Sequence, residues 1–180
     1  VNSLGGTPGL INSINASNSD NVAPQVVRAL VVATDTLQLY FNEPMDSTTM
    51  LNPAIYSINN GIGTPTQVKP VAPDFMSVRL TLSNLIQVGI LYTITVTNTI
   101  TDCIGNPIGI GNTTQFALPE PAMPGDIVIN EILVDPNTGG VDFVEIYNRS
   151  NKVIDLKTMT ISQYDTINNI PIGLKLITST

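Results

Sequence analysis

Acidic side chains are the main chemically active groups of this sequence, and three of them lie near one another along the chain. Glu131 precedes a turn rich in Pro, Asn and Gly, whereas Asp142 and Glu145 follow it. If the two segments pair as a hairpin, the three carboxylates can converge. Oxygen ligands of this kind suit calcium or magnesium, and a carboxylate pair is the catalytic unit of glycosidases. The main interpretation is that Glu131 and Glu145 accept hydrogen bonds from turn amides or pair with Arg149 or Lys152. The alternative is that Glu131, Asp142 and Glu145 are metal ligands.

A second candidate metal site combines Glu43, Asp46 and Asp102, which lie in separate turns. Hard cations bind several oxygens, so calcium is the ion that these residues would hold. The sequence lacks the closely spaced aspartates of calcium-binding loops, and a structural role for the three residues is the main interpretation.

A sugar-cleaving site also needs aromatic rings, and the chain has no Trp, four Phe and five Tyr. Catalysis by a carboxylate pair is therefore not expected.

Other common catalytic groups are missing from the sequence. There is no His, so neither a Ser-His-Asp triad nor a Cys-His pair can form, and one cysteine cannot build a zinc site. The lone Cys103 lies in an Asp-x-x-Gly-Asn turn with no base to activate it, which predicts a half-buried, inert thiol. The two common phosphate-binding glycine loops are also absent. We predict that the protein is not an enzyme and has no cofactor, with calcium as the one alternative.

The charge of the chain argues against polyanionic partners. The 180 residues carry a formal net charge of -7, and the seven Lys and Arg residues are scattered along the sequence. Nucleic acids and anionic membranes bind clustered basic residues, so neither is an expected partner.

Apolar stretches stay well short of the roughly 20 residues that a transmembrane helix needs. Hydrophobic residues make up 42% of the chain, which predicts a folded core. Richness in Asn, Thr, Ser, Gly and Pro is typical of secreted β-proteins.

The apolar residues follow the period of β-strands. Residues 37–42, 78–83 and 92–97 each alternate apolar and polar side chains, which predicts three strands with one buried face. Turn residues recur roughly every ten positions, a spacing typical of a β-sandwich. One helical turn is expected over residues 46–51, because Asp46 can cap the free amides that follow it.

Two polar or proline-rich segments divide the chain. Residues 1–23 have no sustained period and are predicted to be a linker. Residues 119–125 are dense in proline, which is excluded from central strands, and are predicted to be a second linker. A β-sandwich is then expected over residues 24–118 and a smaller β-domain over residues 126–180. A domain of about 55 residues buries little surface, so exposed sheet edges are expected in it. Its four predicted strands cover residues 127–134, 141–147, 159–164 and 172–177.

Several motifs of the first domain form a recognisable set. The most specific are Phe41-Asn42-Glu43-Pro44-Met45-Asp46 and the turn Asp102-Cys103-Ile104-Gly105-Asn106. With Tyr56-Ser57-Ile58 and Leu91-Tyr92-Thr93-Ile94 between them, they resemble the bacterial Ig-like domain of S-layer and other surface proteins. The resemblance covers residues 24–118 and implies a seven-stranded sandwich used as a spacer or interaction module. Within it, Glu43 and Pro44 are expected to end an edge strand, and Tyr92 to bond nearby backbone as a tyrosine corner.

The second domain carries a different pair of motifs. They are Gly125-Asp126-Ile127-Val128-Ile129-Asn130-Glu131-Ile132 and Asp142-Phe143-Val144-Glu145-Ile146-Tyr147-Asn148-Arg149-Ser150. Followed by Val153-Ile154-Asp155-Leu156, they are similar to a lamin-tail domain, a small Ig-like β-sandwich that recurs in bacterial secreted proteins. Residues 126–180 would form the first half of such a domain. Because Leu4-Gly5-Gly6-Thr7-Pro8-Gly9 resembles the end of one, the alternative to a linker for residues 1–23 is the end of a preceding lamin-tail unit in a tandem array.

The sequence thus predicts an all-β chain: an Ig-like β-sandwich plus a partial second β-domain of the lamin-tail type. Its predicted function is a non-catalytic structural or interaction module of a secreted or cell-surface bacterial protein, adhesion-like in character. The alternatives are an accessory region of a larger secreted hydrolase and a glycan-binding module that stacks sugars on Tyr40, Tyr56, Tyr147 or Tyr164. Expected partners are other domains of the parent chain and a host or envelope protein or glycan. The sequence leaves the ligand and the oligomeric state open.

Overall fold

The computed structural model describes residues 20–134 and 139–177, and the first part of it is a two-sheet β-sandwich. Its strands are β1 Val26–Ala33, β2 Thr36–Phe41, β3 Tyr56–Ile58, β4 Gln67–Pro70, β5 Ser77–Thr81, β6 Tyr92–Val96 and β7 Thr113–Phe116. One sheet has the order β1-β2-β5-β4 and the other β3-β6-β7, with antiparallel neighbours throughout. The predicted seven-stranded Ig-like fold is confirmed.

The core of the sandwich forms because strand alternation sends every second residue between the sheets. In the four-stranded sheet, Leu37 pairs with Leu80 and Leu39 with Val78, and all four side chains are fully buried. The facing sheet contributes alternating residues of β3 and β6. The buried apolar side chains of this second sheet are Tyr56, Ile58, Tyr92, Ile94, Val96 and Phe116.

Two buried tyrosines tie loops to the core. The Tyr56 hydroxyl donates to the Met50 carbonyl over 2.9 Å. The Tyr92 hydroxyl accepts the Gln87 amide over 3.0 Å, which is the predicted bond of this residue to nearby backbone. The expected helical turn is also present, as a 3₁₀-helix over Thr49–Leu51 that is followed by a second over Pro53–Ile55. Both helices are single turns, and they lie in the segment that connects β2 to β3.

The first strand also contacts the last strand of the other sheet. The Val26 amide donates to the Gly111 carbonyl over 2.7 Å, and the Gly109 amide donates to the Pro24 carbonyl. Residue numbers rise together in these two pairs, so β1 and the segment that leads through β7 run parallel. A side chain at position 111 would place its Cβ 2.9 Å from the Gln25 side chain, so glycine permits this close approach.

One expectation about strand order is wrong. β2, which ends just before Glu43 and Pro44, is an internal strand paired with β1 on one side and β5 on the other. A proline removes only its own amide hydrogen. Since Pro44 lies beyond Phe41, the last residue of β2, no ladder hydrogen bond is lost and the strand need not be at an edge.

The second part of the chain consists of two separate hairpins. β8 Ile127–Leu133 pairs with β9 Phe143–Asn148, and β10 Thr160–Asp165 pairs with β11 Ile170–Leu176. A 3₁₀-helix over Leu156–Thr158 lies between them. The four predicted strands are therefore present. The turn at residues 135–138, the Leu4–Gly9 segment and most of the predicted linker 1–23 lie outside the described residues.

The apolar side of the β8–β9 hairpin is incompletely covered. Pairing places Ile129 beside Ile146 and Ile132 beside Val144, so these side chains share one face. Ile129 and Ile132 remain 57% and 55% exposed. This exposed apolar face is distinct from the exposed sheet edges that the sequence predicts for this region, which stay a prediction.

The helices that the structure describes are single 3₁₀ turns, none of which could span a membrane.

Candidate functional site

Three carboxylates lie together at one end of the sandwich. Asp20, Glu43 and Asp102 each offer one oxygen, and these oxygens lie within 4.8 Å of one another. This is the one group of three potential metal-binding side chains in residues 20–134 and 139–177. The sequence suggested Glu43 and Asp102 but not Asp20. Asp20 precedes β1, and its backbone carbonyl accepts a hydrogen bond from Asn106 Nδ2, which holds it beside the Asp102 turn.

Asp102 organises the turn in which it lies. Its side chain is 2% exposed. Oδ1 accepts the amides of Ile104, Gly105 and Asn106 at 2.8, 2.7 and 2.9 Å, and Oδ2 accepts Asn106 Nδ2 at 2.8 Å. Burial alone would raise the pKa of Asp102, but the hydrogen bonds from Asn106, Ile104 and Gly105 outweigh it and hold the pKa below its usual range. The ionised carboxylate thus accepts four hydrogen bonds from residues of its own turn.

The pKa of Glu43 shifts in the opposite direction to that of Asp102. Partial desolvation, followed by repulsion from Asp20 and Asp102, raises the pKa of Glu43. Asp46, the third residue of the predicted set, is not part of the cluster. Its carboxylate accepts the Thr48 amide and the Thr48 hydroxyl, and these hydrogen bonds lower the pKa of Asp46.

The cluster is chemically an oxygen-only site of the kind that suits hard cations. Both oxygens of Asp102 already accept hydrogen bonds, and Asp20 Oδ1 accepts the Val22 amide over 2.9 Å. Calcium takes six to eight oxygen ligands, so protein atoms alone offer few of the positions required. Calcium binding here stays a prediction.

Replacing Glu43 by glutamine is expected to stabilise the sandwich at neutral pH and raise its melting temperature by about 1 to 3 °C. A carboxylate whose folded pKa is raised opposes folding while it is ionised. The gain should therefore be present above the folded pKa of Glu43 and disappear as pH falls below the ordinary glutamate value of about 4.3. Melting curves followed by circular dichroism from pH 3 to pH 8 check this. Equal melting temperatures across the range would contradict the repulsion.

The same variant tests the calcium prediction. A calcium site of useful affinity would raise the melting temperature of the native chain by several degrees in millimolar calcium, and that of Glu43→Gln by much less, because binding to the folded state stabilises it. Magnesium at the same concentration controls for ionic strength. A shift below about one degree in the native chain rejects the site.

The carboxylates of the β8–β9 hairpin do not form a three-membered group. Glu131 and Glu145 are direct cross-strand neighbours, and Asn130 Nδ2 donates to Glu145. Asp142 lies just before β9. The predicted ion pair of Glu131 or Glu145 with Arg149 or Lys152 is not formed. In residues 20–134 and 139–177 the one salt bridge joins Lys152 Nζ to Asp126 Oδ2 at 2.8 Å.

Cys103 differs from its prediction in one respect. The sequence predicts a half-buried thiol, but Cys103 is an exposed free thiol. The cause is Asp102: its side chain occupies the interior of the turn, which directs the next residue outward. Cys103 Sγ lies 3.6 Å from the Pro44 carbonyl, and the turn provides no basic group to activate it.

The four candidate sugar-stacking tyrosines are not gathered on one surface. Tyr56 is fully buried. The Arg28 guanidinium lies over the Tyr40 ring at 4.5 Å from its centroid. Tyr147 and Tyr164 are exposed but belong to different hairpins. These positions give no aromatic platform built from several rings.

Comparisons with known proteins give two family matches. The model described as Bacterial Ig-like domain matches residues 8–117, and that described as Lamin Tail Domain matches residues 120–174. No curated protein matches the chain. The predicted limits of the linkers and domains stay predictions.

Solved structures of the bacterial S-layer protein SbsC are similar to the chain. A recombinant form of SbsC is 22% identical with a TM-score of 0.48, and the match covers 84% of this chain and 22% of that one. The N-terminal part of SbsC is 21% identical with a TM-score of 0.47, covering 84% and 38%. The chain therefore spans well under half of each of these structures.

The Ig-like family match covers more than half of the sequence and coincides with the seven-stranded sandwich. Residues 120–174, which carry the lamin-tail match, include both hairpins of the second part almost completely. The chain belongs to the bacterial Ig-like domain family.

Proposed function

We propose that this chain is a non-catalytic structural module of a secreted or cell-surface bacterial protein. The observation that carries the proposal is the use of the polar side chains of the sandwich to hold its own loops. Asp102 caps the turn after it, and Tyr56 and Tyr92 bond to loop backbone. These groups serve the fold, as expected for a module whose task is to keep its shape.

The absence of histidine from the sequence supports a non-catalytic role. Within the carboxylate cluster, Asp102 suits a structural role. The hydrogen bonds that its oxygens accept from Asn106, Ile104 and Gly105 lower its pKa, so it stays ionised and bound to its own turn.

The surface location is tested on whole cells of the source bacterium. An antibody raised against the sandwich follows the parent protein during brief protease treatment of intact and lysed cells. Loss of the antigen from intact cells, while a cytoplasmic control protein survives, supports the proposal. Survival of the antigen until the cells are lysed would reject a surface location, and recovery of intact antigen from the medium would indicate secretion.

Two alternatives extend this role. An accessory region of a secreted hydrolase requires a catalytic domain in the same parent chain, which the sequence of the parent gene decides. Glycan binding by stacked aromatic rings is disfavoured by the positions of the tyrosines, since Tyr56 is buried and Tyr40 carries Arg28 on its ring. Binding of a charged glycan does not require aromatic rings, so the positions of the tyrosines do not argue against it.

A further inference from the structure

The basic residues of the sandwich are gathered on one side of one sheet. Between residues 24 and 118 the sequence contains three of them, Arg28, Lys69 and Arg79. They are 41 and 10 positions apart along the chain, yet each belongs to a strand of the four-stranded sheet, β1, β4 and β5 respectively. All three side chains are exposed.

Strand register puts all three on the outer face. Leu39 pairs with Val78 and Leu37 with Leu80, and these residues face the core. Their alternates must point outward. The outward pairs are Arg28 with Tyr40, Gln38 with Arg79, and Arg79 with Lys69.

Lys69 and Arg79 form a like-charge pair. They are direct partners in the β4–β5 ladder, where opposite side chains have Cβ atoms about 5 Å apart. Like charges in this position destabilise a sheet. Within the described residues the single salt bridge is Lys152 to Asp126, so neither basic residue has a carboxylate within 4.0 Å there. The stability of the sheet therefore does not explain why these two positions are basic.

The outer face carries no acidic residue among the paired positions of the four strands. In a chain with 14 Asp and Glu and seven Lys and Arg, this is a local reversal of charge. The negative charge of the chain as a whole acts weakly here, because at 0.1 M salt charges are screened beyond about 10 Å. The net charge of -7 disfavours anionic partners for the chain as a whole, but an anionic partner can still bind this face.

A groove on this face adds polar groups to the two cations. It has a volume of about 490 Å³ and is lined by Lys69 and Arg79, by the polar residues Thr66, Gln67 and Thr81, and by the apolar residues Pro53 and Val68. Arg79 Nη2 donates to Gln38 Oε1 over 3.2 Å, and Gln38 Nε2 donates to Ser77 Oγ, which holds the guanidinium in place across the strands. Hydroxyl and amide groups beside two cations, one of them held in place, match a ligand that carries both hydroxyls and negative charge.

We propose that the outer face of the β1-β2-β5-β4 sheet binds an anionic polysaccharide, with Lys69 and Arg79 as the main contacts and Arg28 as an outlying one. Arg79 suits carboxylate and other oxyanions because its planar guanidinium donates two parallel hydrogen bonds. The threonine and glutamine side chains would bond sugar hydroxyls. This role goes beyond that of a structural module and can fail without affecting it.

Other polyanions fit this face less well. An extended peptide usually adds to the free edge of a sheet. Arg79 lies on the internal strand β5, and the 3₁₀-helix Thr49–Leu51 lies against the edge strand β4 that carries Lys69. Nucleic acids are held by many phosphate contacts, and three basic residues provide few of them.

The binding test uses the full chain and four polymers of similar length. They are polygalacturonate, which carries carboxylates, dextran sulfate, which carries sulfates, neutral dextran, and polyglutamate as an acidic peptide. Titration calorimetry at about 20 mM salt should show binding of at least one acidic polysaccharide, weakened at 200 mM salt, with no binding of dextran. The two acidic polysaccharides together reveal which anionic group is preferred. Failure of both to bind, or equally tight binding of polyglutamate, would overturn the proposal.

Charge-matched variants localise the site. Lys69→Gln combined with Arg79→Gln should weaken binding by about tenfold or more, since each lost charged contact changes the affinity severalfold. Lys157→Gln combined with Lys175→Gln removes the same charge from exposed residues of the second part and should leave the affinity within about twofold. An equal loss in both double variants would show nonspecific attraction and reject the site.

A charge reversal separates binding from folding. Lys69→Glu replaces the like-charge pair by an ion pair with Arg79, so the melting temperature should rise by about 1 to 4 °C while polysaccharide binding falls. Opposite changes in stability and binding are not expected of a residue that only supports the sheet. A Lys69→Glu chain that binds as tightly as the native one would reject the proposal.

Discussion

Replacing Asp102 by alanine is expected to lower the free energy of unfolding of the sandwich by about 3 kcal/mol. The substitution leaves the amides of Ile104, Gly105 and Asn106 without their acceptor in a turn where Asp102 itself is buried. Hydrogen bonds to a charged group contribute about 1.5 to 3 kcal/mol each, although part of this is recovered when the freed amides reach water. Urea unfolding followed by circular dichroism measures the change.

The pH dependence of the Asp102 effect separates charge from packing. A carboxylate whose folded pKa is lowered stabilises the fold above its unfolded value of about 3.9, and this stabilisation is lost as pH falls through the folded pKa. The difference between native and Asp102→Ala chains should therefore be largest near neutrality and shrink in acid. Asp102→Asn, which keeps one acceptor oxygen, should be less destabilising. A difference that stays constant from pH 7 to pH 2 would contradict a role for the charge.

Replacing Ile94 by alanine is expected to cost about 3 to 4 kcal/mol. Ile94 is fully buried in the central strand of the three-stranded sheet, between Ile58 and Thr114. Truncation loses the transfer free energy of three carbon atoms and leaves a cavity that paired strands cannot close. Because the chain has no Trp, tyrosine fluorescence during urea unfolding reports on the sandwich through the buried Tyr56 and Tyr92.

The matched control for Ile94 is an isoleucine of the second part. Ile129→Ala removes the same atoms from a side chain that is 57% exposed, so the tyrosine-detected unfolding should change by less than about 1 kcal/mol. Equal destabilisation by the two substitutions would show that the hairpins and the sandwich unfold as a unit.

Elements of the sandwich were predictable where one strand face is buried. In residues 37–42 and 92–97 the alternation of apolar and polar residues is regular because those strands cover a core on one side only. The position of β2 within its sheet was not predictable from Glu43 and Pro44. Strand order depends on which segments pair, and that information is distributed over the whole chain.

Sites were less predictable than strands for the same reason. Asp20 joins Glu43 and Asp102 through a hydrogen bond from Asn106, a contact between residues 86 positions apart. Lys69 and Arg79 meet because β4 and β5 pair in one register, and a shift of one residue would send one of them to the other face. Basic residues that are scattered in sequence can therefore be neighbours in the fold.

The parallel contact between β1 and the segment leading through β7 determines how the sandwich responds to pulling. The two segments run in the same direction. The chain therefore enters the sandwich at Pro24, beside Gly109, at one end and leaves it after Phe116 at the opposite end. Tension applied through the chain would load the hydrogen bonds of Val26 and Gly109 together, in shear, instead of opening them one after another. Rupture under shear requires several bonds to break at once, so a domain connected in this way transmits force along its length before it extends.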